Sequence, residues 1–146
     1  MSDRNQKTIK QALAEAIEMG MNLGGHNVHE QALARQIVGR FPSVDKVRFT
    51  NSGTEANLMA LGTARAHTKR DRILVFQGGY HGGVLYFGTI TPVNAPFDVV
   101  IAPYNDIAGT RAFIKQHAHE LAAIMLEPML GGAGCIPAEI PFLQML

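Results

Sequence analysis

Asn51-Ser52-Gly53-Thr54-Glu55 places hydroxyl side chains on both sides of one glycine. Ser52 and Thr54, with the backbone N–H groups that follow Gly53, could hold a phosphate on the positive end of a helix, and Gly53 would let a ligand approach the backbone closely. The same residues also read as a capping box. In Ser52-x-x-Glu55 the two side chains satisfy the orphan N–H groups of a helix start without any ligand. Spacing alone leaves both readings open. A Walker loop is excluded, because no Gly-Lys-Ser/Thr follows.

Two further clusters could do chemistry. Gly78-Gly79-Tyr80-His81-Gly82-Gly83 surrounds one aromatic and one imidazole with glycine, which suits a flat ligand packed on Tyr80. The alternative is a loop in which Tyr80 caps the core and His81 is solvated; a lone histidine is more often structural than catalytic. The third cluster runs from Glu127 through Met129, Leu130, Gly131 and Gly132 to Cys135. A carboxylate at the mouth of a buried strand is costly unless it binds or orients something. Cys135 has no base placed beside it by the sequence and reads as a small buried hydrophobe.

Each cluster follows an extended apolar run. Strands are expected at 47–50, 73–76, 99–102 and 121–126, the last apolar enough for burial on both faces. Helices are expected at 7–19, 29–41, 54–67, 109–120 and from 138 to 146, with Ile9, Leu13, Ala16 and Ile17 as the stripe of the first and Leu33, Ile37 and Val38 as that of the second. Residues 84–91 read as extended, and 127–137 as a loop. Strand, helix, strand, strand, helix, strand predicts an α/β fold, a partial and mainly parallel sheet with crossover helices. Ligands of such sheets bind outside the carboxyl ends of the strands, where the three clusters lie.

Composition narrows the class. With 13 Lys+Arg against 12 Asp+Glu the net charge is +1, which gives no electrostatic reason to expect nucleic acid or an anionic membrane. A hydrophobic share of 47% fits a globular core. One cysteine excludes an internal disulfide and a multi-cysteine zinc site. The charged first 20 residues do not read as a signal peptide, and no run approaches the roughly 20 apolar residues of a membrane span. A cytoplasmic setting is the expectation. The final stretch, Pro141 to Leu146, is an apolar helical start without a cap, so the chain is expected to be cut within an element.

Two long motifs, NSGTEANLMALGTARAHTKRDRILVFQGGYHGG (51–83) and IMLEPMLGGAGCIPA (124–138), closely resemble the class III pyridoxal-phosphate-dependent aminotransferases of fold type I. The closest branch looks like the glutamate-1-semialdehyde aminomutase-like group, which includes β-amino acid aminotransferases. The upstream NLGGHNVHEQALARQIVGRFPSVDKVRFTNSG fits the same group. The resemblance implies that residues 1–146 are the first part of the cofactor-binding large domain, with N-terminal helices in 1–45.

Carried over residue by residue, the resemblance implies a phosphate-binding turn at Ser52, Gly53 and Thr54. It puts the ring-stacking aromatic at Tyr80 with His81 beside it, an acid at the cofactor's edge at Glu127, and pocket lining at Met129, Leu130, Gly131 and Gly132. The implied reaction moves an amino group from an amino acid, with β-amino acids among the candidates, to a 2-oxo acid, in a homodimer. Aminomutases of the group tend to carry Cys where Gly79 stands and Asn where Gly132 stands, which favours a transaminase. The alternatives are glutamate-1-semialdehyde 2,1-aminomutase and a non-catalytic phosphate-binding or dimerisation module. The family's Schiff-base lysine matches none of Lys7, Lys10, Lys46, Lys69 and Lys115, so no catalytic residue is assigned. The resemblance further implies that the neighbours of strand 47–50 come after Leu146, so this strand is expected here either to lack its family neighbours or to pair unnaturally.

Overall fold

A computed structural model describes residues 3–20, 24–87 and 91–146, with side chains from Thr8 onward. The chain divides into two compact units, Met1–Phe49 and Thr50–Leu146. The first holds α1 (Asp3–Met19) and α2 (Val28–Arg40). Asn27 caps α2 by accepting the Glu30 N–H at 2.9 Å, and the helix stops at Phe41, before Pro42. The stripes expected on both helices are largely exposed, with Ile9, Leu13, Ile17, Leu33 and Val38 open to solvent.

The second unit holds α3 (Gly53–Thr68), β1 (Arg72–Phe76), β2 (Val99–Ala102), α4 (Ile107–His117), β3 (Leu121–Ile124), β4 (Met129–Leu130), β5 (Ile136–Pro137) and α5 (Ile140–Met145). The sheet runs β2-β1-β3, all parallel, and β4 and β5 form a separate antiparallel pair. Alternation along β1 sorts the core onto its two faces. Ile73 and Val75 pack with Leu61 of α3, Leu85 and Phe87. Leu74 and Phe76 pack with Ala102, Leu121 and Phe142 of α5.

Several expectations need correction. Residues 46–50 form no ladder, so the strand at 47–50 is absent; a strand exists only by pairing, and no described segment pairs with it. The most buried strand is β1, not 121–126. β1 lies between two neighbours, while β3 ends at Ile124 and has one neighbour among the described residues. Residues 84–87 are turn and irregular backbone rather than an extended segment, and 88–90 lie outside the described residues. The 127–137 loop contains the β4–β5 ribbon. Cys135 is exposed at φ 56° rather than buried. Lys10, Lys46, Lys69 and Lys115 are exposed, as expected of surface lysines; the side chain of Lys7 lies outside the described residues.

Candidate functional site

Helix α3 starts because Ser52 is extended (φ −152°, ψ 161°) and its hydroxyl oxygen accepts the Glu55 N–H at 3.2 Å. Glu55 in turn accepts the Asn51 N–H at 2.7 Å, one residue before the amide that a standard capping box satisfies. The box therefore takes the Glu55 amide, and leaves the Gly53 and Thr54 amides without a partner among the described residues. Ser52 and Gly53 are exposed, and a Cβ placed on Gly53 would meet nothing within 4 Å. This helix end is capped and still open.

The loop after β1 folds onto the same helix. Thr54 Oγ1 accepts the Gly83 N–H at 3.1 Å, and a hydroxyl that accepts there keeps its own proton to donate elsewhere. Asn57 Nδ2 donates to the His81 carbonyl at 2.8 Å. Gly82 is the residue that permits this approach. It adopts φ +136°, and a Cβ there would overlap Thr54 Oγ1 and lie 2.9 Å from the Thr54 Cα and Cβ.

From the other side, the Tyr80 N–H donates to Glu127 Oε2 at 2.9 Å, and the Tyr104 hydroxyl donates to the Glu127 carbonyl at 2.8 Å. Burial and the nearby Glu127 carboxylate both push the Tyr104 phenol up, which keeps it a donor. Glu127 is half-buried, and this contact to a backbone N–H orients it at the end of β3.

Two side chains exchange the places given them by the solvated-loop alternative. Tyr80 is half exposed (50%), its ring edge-on to Tyr86 at 5.7 Å. His81 is buried (6%) beside Phe87, and its Nε2 has no partner among the described residues. Burial lowers the His81 pKa, partly opposed by the Glu127 carboxylate, so the ring stays neutral near pH 7. A glycine at 79 leaves it room: a Cβ there would sit 3.1 Å from His81 Nε2.

Thr54, Tyr80, His81 and Glu127 thus belong to one hydrogen-bonded assembly with Asn57 and Tyr104. Of the other expected residues, Met129, Gly131 and Gly132 are exposed, whereas Leu130 is buried (3%), near the 3.5 Å position a Gly78 Cβ would face. Asn57 and Tyr104 were missed by sequence reasoning, and Gly82 was read only as one of the glycines around Tyr80 and His81. A polar Asn inside an otherwise good helix was the one available signal, since Asn weakens helix interiors and needs a reason to be there.

The aminotransferase class-III family profile matches residues 4–146. The β-phenylalanine transaminase of Variovorax paradoxus is 53% identical over 139 residues, 94% of this chain and 32% of that protein. Its crystal structure superposes with a TM-score of 0.90. The glutamate-1-semialdehyde 2,1-aminomutase of Dichelobacter nodosus is 42% identical over 153 aligned positions, 94% of this chain and 36% of that protein. An ω-transaminase from Sphaerobacter thermophilus, 39% identical, matches 93% of this chain and 36% of its own with a TM-score of 0.81. A transaminase with PLP bound, 31% identical, covers 93% of this chain and 35% of its own with a TM-score of 0.83. The chain spans about a third of the length of the curated relatives it matches, and its mixed α/β fold with a parallel sheet is the corresponding part of theirs. The chain belongs to the class-III aminotransferases.

Proposed function

We propose that this chain forms part of a pyridoxal-phosphate-dependent aminotransferase that moves an amino group from an amino acid to a 2-oxo acid. A β-amino acid such as β-phenylalanine is the donor of first choice. The observation that carries the reading is the open, capped start of α3, with the exposed Tyr80 loop docked on that same helix. Identity of 53% to a β-phenylalanine transaminase, against 42% to an aminomutase, favours intermolecular transfer. Residues 1–146 would be the first part of the large domain, with its N-terminal helices in 1–45.

The residues present fit the cofactor. A phosphate at the start of α3 would accept from the Gly53 and Thr54 amides and from the Ser52 and Thr54 hydroxyls, on the positive end of the helix dipole. The exposed face of Tyr80 would carry the pyridine ring, with His81 beside it and Glu127 at the cofactor's edge. Met129, Leu130, Gly131 and Gly132 would border the substrate. When bound, pyridoxal phosphate supplies the electron sink for breaking a bond at the amino-bearing carbon. This chain would anchor and orient: Glu127 fixes the Tyr80 backbone, the buried, neutral His81 would add no charge beside the cofactor, and the helix end would offset phosphate charge. No proton transfer is assigned to its five lysines.

The expected cytoplasmic homodimer rests on the family resemblance and on the lone Cys135; among the described residues, no helix is long and apolar enough to cross a membrane. The test is amino transfer by the polypeptide translated from the complete gene, supplied with pyridoxal phosphate, β-phenylalanine and a 2-oxo acid. Formation of the amino acid corresponding to the acceptor supports the reading. No transfer from β-phenylalanine or from α-amino acids would refute it.

A further inference from the structure

We propose that Asn57 is a positioning residue for the ring-bearing loop, holding the backbone on which Tyr80 stands. The inference rests on the reading of Tyr80 as the ring platform.

Asn57 lies in the second turn of α3, half-buried, where asparagine is a poor helix former. Its side chain does nothing for its own helix. The amide nitrogen donates to the His81 carbonyl at 2.8 Å, across 24 residues of chain. A carbonyl can only accept, so the contact fixes which end of the amide faces the loop. It is the middle of three side-chain holds on the 80–83 backbone of the loop. Glu127 takes the Tyr80 N–H at 2.9 Å, Asn57 the His81 carbonyl, and Thr54 the Gly83 N–H at 3.1 Å.

Glu127 and Thr54 belong to the proposed cofactor set, whereas Asn57 has no ligand to bind. The loop's own buried side chain offers no substitute, because His81 Nε2 has no partner among the described residues. Without Asn57 the side-chain holds that remain are those on the Tyr80 and Gly83 N–H groups, and the His81–Gly82 peptide between them is free to pivot between Glu127 and Thr54. Because both outer holds remain, the consequence is a change in Tyr80 orientation and not loss of the fold.

The test compares Asn57→Asp, which keeps the shape and loses the donor, and Asn57→Ala with the wild-type polypeptide from the complete gene. In the cofactor-free protein, hydrogen exchange at amides 80–83 should rise about tenfold, the factor that one lost hydrogen bond allows, with peptides from 58–68 unchanged. With pyridoxal phosphate added, the visible circular dichroism per bound cofactor should fall by about half or more, since orientation must hold to within tens of degrees. Unchanged exchange at 80–83 in both variants would overturn the inference, as would faster exchange along the whole of α3. Faster exchange at 80–83 with an unaltered visible signal would overturn the positioning role. A wild-type protein that gives no visible signal with pyridoxal phosphate would instead refute the cofactor reading, and leave the exchange result to decide whether Asn57 holds the loop.

Discussion

Replacing Gly82 by Ala should separate the loop from α3. The backbone at Gly82 has φ +136°, where L side chains are strained by about 1–3 kcal/mol. The new Cβ would also lie 2.9 Å from both Cα and Cβ of Thr54. Those atoms belong to the helix start and cannot swing away as a long side chain would, so overpacking adds roughly 1–3 kcal/mol. The expected destabilisation is about 2–6 kcal/mol, lowered if the loop relieves the clash by releasing the Gly83 N–H from Thr54. Gly83→Ala is the internal control. The neighbouring glycine has no such φ, and a Cβ there meets nothing within 4 Å, so its cost should stay within about 0.5 kcal/mol. Urea unfolding of both variants, followed by far-ultraviolet circular dichroism, reads the difference, and exchange at the backbone amide of position 83 reads the contact. Equal stability of the two variants, with that amide equally protected in both, would refute the reasoning.

Ser52→Ala removes the hydroxyl that caps the Glu55 amide, so α3 should lose about 1 kcal/mol, and affinity for pyridoxal phosphate should fall in equilibrium titration. Tyr104→Phe keeps the packing against Phe76 and Phe142 but deletes the bond to the Glu127 carbonyl, at about 1 kcal/mol in urea unfolding. The His81 pKa is lowered in the folded state, so the unfolded chain takes up its proton first. Stability should begin to fall as pH drops through the ordinary value of 6.5, and level off once the folded ring also protonates. Urea midpoints between pH 8 and 5 should show this slope, and His81→Gln should flatten it.

Much of the fold was legible because local pattern and tertiary context agree. Ile73 to Phe76 is an apolar run that packs on both faces, and Ser52-x-x-Glu55 caps the helix it announces. The misses follow from pairing and packing, which one segment cannot encode. Residues 47–50 carry strand-forming side chains yet find no ladder among the described residues, the lack of neighbours that the resemblance implies, and β3 looks as apolar as β1 but has one neighbour among the described residues. Within the site, Ser52, Gly53 and Tyr80 stand out by type and spacing. The burial of His81 and exposure of Tyr80 depend on contacts to Phe87, Asn57 and Glu127, which lie 6 to 47 residues away in the chain. Cys135 is exposed because the β4–β5 turn carries it outward at positive φ, a geometry that composition does not reveal.

A crystal structure of the complete polypeptide with pyridoxal phosphate tests the central claim most directly. The account predicts the phosphate at the start of α3, within hydrogen-bond reach of the Gly53 and Thr54 amides, and the pyridine ring stacked on Tyr80. A phosphate bound away from α3, with the Tyr80 ring in contact with solvent alone, would contradict it.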